Sequence, residues 1–347
     1  PTGIYGVGVL VSEGTRGEGG YLVNGEGHRF MPDYAPNFKD LACRDVVSRS
    51  SMIEIREGRG YGEKKDHIGL KLSHLPEEVF KEKLPGITEL SKVYAGVDPM
   101  RDPIPVVPTC HYMMGGIPTN KNAEVIRYSD TDGDQVVPGL YAVGEAANVS
   151  VHGANRLGAN SLLDLVVFGR CAGLHIKEKL DQGVDSAVVS DEDIERAASR
   201  YLDYESRQNK GSLDSIASIR TAMQDVMQTD FGVFRTEEVM ITGLEKLHEI
   251  EERMKSLHLE DRSQVFNTSR LELLELDNML NVAISTAKSA LFRQESRGAH
   301  SRQDYQGRDD DNWHCHTIDM LRKDLLKRPV DMTTERVDPI PLKEREQ

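Results

Sequence analysis

Two rhythms of apolar residues divide the chain. Up to about residue 107 they fall in short alternating or clustered runs broken by Gly and Pro, the pattern of short strands and loops. Residues 7–11 alternate as a strand. Segments 20–23 and 28–31, joined by Asn24-Gly25-Glu26-Gly27, read as a β-hairpin, since Asn-Gly supplies the positive φ angles of a tight turn. Residues 124–128 and 140–143 read as strands flanking Asp130-Thr131-Asp132-Gly133-Asp134. That acidic segment resembles the start of a calcium loop, but Gln135 and Tyr141 stand where such a loop needs Gly and Glu, so it is read as a turn.

From residue 160 the period changes to three and four. A helix capped by Asn160-Ser161 is predicted through Leu163, Val166, Val167, Cys171 and Leu174 to about 180. Four more follow at roughly 190–206, 212–229, 235–258 and 267–294. Leu247, Ile250, Met254 and Leu257 form one stripe, and Leu273, Leu276, Leu280, Ala283 and Ala287 another, as the core of an antiparallel bundle requires. After Arg293 the chain is polar and reads as an irregular tail. The fold class predicted is α+β.

Composition narrows the function. Of 347 residues, 43 are basic and 57 acidic, a formal charge of −14 that argues against a nucleic-acid binder, which needs a cationic face. No apolar run reaches the roughly 20 residues of a spanning helix; the most apolar stretch, 161–169, is interrupted by Asp164. Cys43, Cys110, Cys171 and Cys315 are widely spaced and read as reduced thiols, and His314-Cys315-His316 lacks the distant ligands a metal site needs. The chain starts at Pro1 rather than Met, which reads as a start inside a longer protein or after processing.

Three Gly-rich clusters carry the chemistry. The first, Ser12-Glu13-Gly14-Thr15-Arg16-Gly17-Glu18-Gly19-Gly20, sets Glu13 and Arg16 three apart. Its residues alone fit either a ligand-facing loop or a surface hairpin with a solvated ion pair. The second, Pro108-Thr109-Cys110-His111-Tyr112-Met113-Met114-Gly115-Gly116, holds a histidine that fits a core as well as a site. The third begins with Leu140-Tyr141-Ala142-Val143-Gly144-Glu145 and continues with His152-Gly153-Ala154-Asn155-Arg156-Leu157-Gly158-Ala159-Asn160-Ser161. It delivers an arginine, a bidentate partner for carboxylates, just before a helix whose first amides favour an anion. Together the clusters suggest a small dicarboxylate beside a redox ring that is anionic when reduced.

These segments, with Ala42-Cys43-Arg44-Asp45-Val46-Val47 and Glu295-Ser296-Arg297-Gly298-Ala299-His300-Ser301-Arg302, closely resemble the flavoprotein subunit of succinate dehydrogenase, in the succinate dehydrogenase and fumarate reductase family. The resemblance implies FAD as cofactor, attached covalently outside this chain, and succinate oxidation to fumarate. It implies Arg44 as the proton-transferring residue, fed by a relay of Glu13 and Arg16. Ser12, His111 and Arg156 match substrate-carboxylate ligands. Glu145 matches a ligand of the flavin ribityl chain, and Ser161 and Leu162 fall where helix amides meet the isoalloxazine ring. The family usually has Thr where this chain has Ser12; the hydroxyl is retained.

The resemblance further implies an iron–sulfur subunit as partner and membrane anchor subunits reached indirectly, with electrons going on to quinone. The expected location is the cytoplasmic face of a bacterial inner membrane or the matrix face of the mitochondrial one. No G-x-G-x-x-G occurs, so the strand-turn-helix for a dinucleotide pyrophosphate is not in these residues. The expected layout is a partial capping domain over 1–107, the second part of a split FAD-binding domain over 108–182, a helical bundle over 183–294 and a C-terminal tail over 295–347. Fumarate reductase, the same chemistry reversed, and a non-catalytic interaction piece are the alternatives.

Overall fold

The computed structural model describes residues 2–184, 188–207, 213–263, 265–321 and 323–332. They form two compact units, one within 1–113 and the other within 114–331.

The first unit is built on a five-stranded antiparallel sheet of β1 (Thr2–Ile4), β2 (Leu10–Val11), β3 (Tyr21–Val23), β4 (Ile68–Lys71) and β5 (Ile104–Pro108). The strand order is β2-β1-β5-β4-β3. Side chains that alternate inward, such as Ile68 with Leu70 and Ile104 with Val106, are fully buried, because period-two apolar residues share one face of a strand. Short helices α1 (Gly14–Gly17), α2 (Met31–Tyr34), α4 (Glu77–Glu82) and α5 (Pro85–Leu90) fill the connections around the longer α3 (Arg44–Arg56). Helix α3 enters the core through Val46 and Val47. Ser50 and Ser51 are buried one turn on, their hydroxyls donating to the carbonyls of Val46 and Val47 at 2.9 and 2.7 Å.

Three expectations fail here, the first being the strand read over 7–11, of which only Leu10–Val11 is strand. The segment following Asn24 does not return as a strand: β3 pairs with β4, with Leu22 opposite Leu70. The turn at Asn24 does form, its side-chain oxygen accepting the amides of Glu26 and His28, but the chain then enters α2 at Met31. Nor is the unit only strands and loops, since α3 runs for 13 residues.

In the second unit β6 (Ile117–Pro118) pairs in parallel with β9 (Ala147–Asn148), and β7 (Glu124–Ser129) pairs with β8 (Gly133–Tyr141) around the acidic turn. The helices are α6 (Asn160–Asp181), α7 (Asp191–Ser206), α8 (Ile216–Asp230), α9 (Glu237–Met254) and α10 (Thr268–Phe292), close to their expected spans. Helices α8, α9 and α10 share one apolar core containing both predicted stripes. Helix α7 is tied to it by Tyr204 and by ion pairs from Arg200 to Asp277 and Glu205 to Arg270.

The start of α6 departs from expectation. Its cap is Ala159, held left-handed at φ +64, and no side chain caps the helix; Asn160 and Ser161 lie in the first turn. The region after Arg293 is also more ordered than its polarity suggests. It forms α11 (Asp310–Trp313) and the antiparallel pair β10 (Cys315–Ile318) and β11 (Leu326–Pro329). Ion pairs organise it: Glu295 is fully buried and bonded to Arg293 and Arg297, and Arg302 is buried against Asp304. The remainder of the tail, 333–347, lies outside the described residues.

Candidate functional site

Strand β1 is antiparallel to both its neighbours, so β2 and β5 run parallel to each other on its two sides. Thr2 is opposite Val11 on one side and Pro108 on the other. The chain therefore leaves β2 into Ser12 and Glu13, and leaves β5 toward His111, at the same end of the sheet. Ser12 and His111 are both exposed there. The Ser12 hydroxyl accepts the Gly14 amide at 3.2 Å, at the entry to the one-turn helix α1.

Three of the predicted charged residues meet. Arg44, the first residue of α3, donates through Nε to Glu13 Oε2, and Arg16 Nη2 approaches Glu13 Oε1 at 4.0 Å. Glu13 thus stands between two guanidinium groups. Arg16 is buried and also donates to the main-chain carbonyl of Asp40. Burial pulls the Arg16 guanidinium below its ordinary pKa, opposed by the negative charges of Glu13 and Asp40. Asp40 is itself buried, accepting from the Leu22 amide at 2.8 Å and from Arg29 at 2.7 Å. Its place under Arg16 has no sequence signal.

The second unit positions the other predicted residues. Strand β8 leads to a short 3-10 turn, Gly144–Ala146, which carries Glu145. Gly144 has φ +70, and a Cβ there would collide with the side chain of Leu165, so the turn lies directly on α6. The loop between β9 and α6 contains three left-handed residues, Ser150, Gly153 and Ala159. His152 Nε2 meets Asp164 Oδ2 of α6 at 3.2 Å, with both side chains nearly buried. That explains the carboxylate inside the apolar run: Asp164 faces inward and ties down the loop. Arg156 is buried, its Nη1 donating to the Leu157 carbonyl at 3.0 Å. Ser161 is half-buried and Leu162 exposed in the first turn of α6.

This second set suits FAD in its donors and acceptors. Glu145 presents an exposed carboxylate to accept hydroxyl groups, beside a helix start whose positive end suits an anionic ring. The apolar face of α6 is largely exposed: Leu163 by 61%, Val166 by 70% and Leu174 by 53%.

The family described as "FAD binding domain" matches residues 1–162, and the one described as "Fumarate reductase flavoprotein C-term" matches 220–347. The succinate dehydrogenase flavoprotein subunit of Coxiella burnetii is 52% identical over the whole chain. The chain belongs to the succinate dehydrogenase and fumarate reductase flavoprotein family. It spans 58% of that Coxiella relative. The fumarate reductase flavoprotein subunit of Escherichia coli is 42% identical over 92% of the chain and 53% of that relative. A solved quinol fumarate reductase of E. coli matches with a TM-score of 0.86 at 39% identity, over 98% of this chain and 59% of that one. FAD is the cofactor of this family. Among the described residues no helix is long and apolar enough to cross a membrane.

Proposed function

We propose that the chain handles substrate and proton in FAD-dependent oxidation of succinate to fumarate. The observation that carries this reading is Glu13 standing between Arg44 and Arg16 at the sheet end where the chain emerges into Ser12 and toward His111. Arg44 takes a proton from one methylene carbon of succinate. An arginine is a poor resting base because its ordinary pKa lies above about 12, so its proton must move on as it arrives. Glu13 accepts it, and the buried Arg16 stabilises the negative charge Glu13 otherwise carries. In the reverse direction protonated Arg44 is an acid and needs no such help.

Ser12, His111 and Arg156 serve as ligands of the substrate carboxylates, fixing the orientation that makes loss of the two hydrogens feasible. Glu145 and the amides at Ser161 and Leu162 hold the flavin, which when bound supplies the hydride acceptor. Electrons then pass to an iron–sulfur subunit and quinone, with the complex docked at a membrane through its anchor subunits. The higher identity to a succinate dehydrogenase than to a fumarate reductase, 52% against 42%, favours the oxidative direction. The structural match to a quinol fumarate reductase keeps the reverse reaction as the second reading.

The test uses the full-length flavoprotein assembled with its partner subunits. Succinate-dependent reduction of a dye should exceed fumarate-dependent oxidation of a reduced dye; the opposite ratio selects the second reading, and neither activity in a flavin-loaded, folded complex rejects both. The 347-residue chain by itself should hold no stoichiometric flavin and show no turnover, since it contains no G-x-G-x-x-G segment. A yellow, active preparation of this chain would contradict that.

A further inference from the structure

The segment from Glu295 to Arg302 has been given no role in the reaction, yet it is densely cross-linked by ion pairs and hydrogen bonds. Glu295 is fully buried, and its carboxylate accepts from Arg293 at 2.5 Å, from Arg297 at 2.7 and 3.0 Å, and from the Asp309 amide at 2.9 Å. Arg297 also reaches Asp310 at 2.6 Å. Arg302, 1% exposed, fixes Asp304 through two nitrogens and returns to the Leu291 and Arg293 carbonyls at the end of α10. A buried charge left without its partner is strongly destabilising, so these bonds hold the segment in one conformation.

The tip of this segment is a tight turn in which Arg297 and His300 exchange main-chain hydrogen bonds at 2.9 and 3.0 Å. It presses on the loop before α6. The Ala299 amide donates to the Ala154 carbonyl at 3.0 Å. Gly298 lies at φ +59, and a Cβ added there would sit 2.5 Å from the Ala154 carbonyl oxygen, 2.6 Å from its carbon and 2.9 Å from its Cβ. Two of those atoms are backbone, so relief requires movement of the loop. Ala154 is two residues from Arg156. The loop is also held by Ser150 Oγ to His316 Nε2 at 3.0 Å and by His152 to Asp164 at 3.2 Å. Both of these contacts are made by residues before Ala154, whereas the turn bears on the middle of the loop at Ala154 itself.

We propose that the Glu295–Arg302 turn is a positioning element for Arg156, with Gly298 as the residue that sets where the loop stands. The rigid helical core is transmitted through the end of α10 and the buried carboxylate of Glu295 to the Ala154 carbonyl, and from there to the guanidinium. The proposal rests on the reading of Arg156 as a ligand of a dicarboxylate.

The test is a double-mutant cycle in the full-length, flavin-loaded protein with malonate as probe. Gly298→Ala should weaken malonate about tenfold or more, because displacing a positioned group by about 1 Å is enough for losses of that order. Flavin content should be unchanged. In an Arg156→Ala background, Gly298→Ala should change malonate affinity less than about twofold, since the residue through which it acts is gone. An equal loss in both backgrounds, or no loss in the first, overturns the proposal. Should Gly298→Ala fail to fold, Arg297→Lys, which loosens the grip on Glu295, is read by the same two criteria and decides in its place. If Arg156→Ala leaves malonate binding intact, the assignment of Arg156 falls; a loss from Gly298→Ala beside that result would show the turn acting elsewhere and reject the positioning role too.

Discussion

The proton-handling residues and the loop residues are held in place by different means. Glu13, Arg16 and Arg44 hold one another chiefly through their side chains, with α1 and the start of α3 supplying the backbone and the Asp40 carbonyl anchoring Arg16. Arg156 instead sits on a loop held from outside, through its side chains by His316 and Asp164 and through its main chain by the turn at Gly298. The first arrangement depends on guanidinium and carboxylate chemistry at each position. The second depends on space and on residues distant in sequence. Conservative charge swaps should therefore damage the first set, whereas the second should respond to changes in backbone support.

The largest effect should come from Arg44. In the full-length protein Arg44→Ala should lower succinate turnover by about 10²–10⁴-fold, the usual worth of a positioned acid or base, with flavin content near normal. Arg44→Lys should not restore it, because an ammonium lacks the planar fork that meets Glu13. A lysine variant retaining more than a third of the parent rate would mean that charge alone suffices there, and the contrast would collapse.

Next comes the loop. Truncating one member of a buried charged contact costs about 2–5 kcal/mol, so Arg156→Ala should weaken malonate by more than about tenfold. Glu145→Ala should show the reverse pattern, with flavin lost or loosened and malonate affinity little changed in the fraction that retains it. Flavin-to-protein ratios and malonate dissociation constants for both variants settle the matter; swapped phenotypes would exchange the two assignments.

Acidification should separate the regions with a smaller effect. His300 is half-buried among Arg235, Arg293 and Arg302, and His316, also half-buried, lies near Arg328, Arg293, Asp134 and His314. Burial, with those cations, pushes both imidazoles down to about 4. The unfolded chain then binds more protons than the native one between about 6.5 and 4, so the stability these groups confer is complete above about 6.5 and lost as pH falls toward 4. In the first unit, hydrogen bonds from Arg59, then Tyr34 and Asn24, hold Glu54 at about 2 against burial. Its contribution, complete above 4.5, is lost only as pH falls from there toward 2. The single tryptophan, Trp313, is buried in the region of the two histidines and serves as reporter. Its fluorescence should change between about pH 6.5 and 4, ahead of any loss of the sheet by hydrogen exchange. Coincident transitions would show the two regions failing as one.

What was legible in the sequence follows from how each element is stabilised. Helices α9 and α10 bury stripes made mostly of Leu, Ile, Met and Ala, so their period reads directly. Helix α3 does not, because its buried face is Val46, Val47, Ser50, Ser51 and Glu54, three of the five polar. A helix that buries hydroxyls bonded to its own carbonyls leaves no apolar period to detect. Helix α6 shows the converse: the period is strong, but within the described residues the buried positions are Asp164 and Ala172 while the stripe faces out. Periodicity gave its secondary structure and not its packing. The region after Arg293 looked irregular because paired charges, rather than apolar residues, organise it. The Glu13–Arg16 pair was visible from spacing; the bond from Arg44, 31 residues away, entered only through family resemblance.

The placement of β1 between β2 and β5 has an evolutionary consequence. Ser12 and His111 are separated by almost all of the first unit, yet each is keyed to the same short strand through the pairings at Thr2. The intervening chain does not set their separation. Surface connections between Val11 and Ile104 that lie away from Ser12–Arg16 and Arg44 are thus free to lengthen, shorten or exchange sequence among descendants while both residues stay put. A single inserted residue within β1 itself would move the two ends apart. Three residues of strand are the part of this unit where change in length is least tolerable.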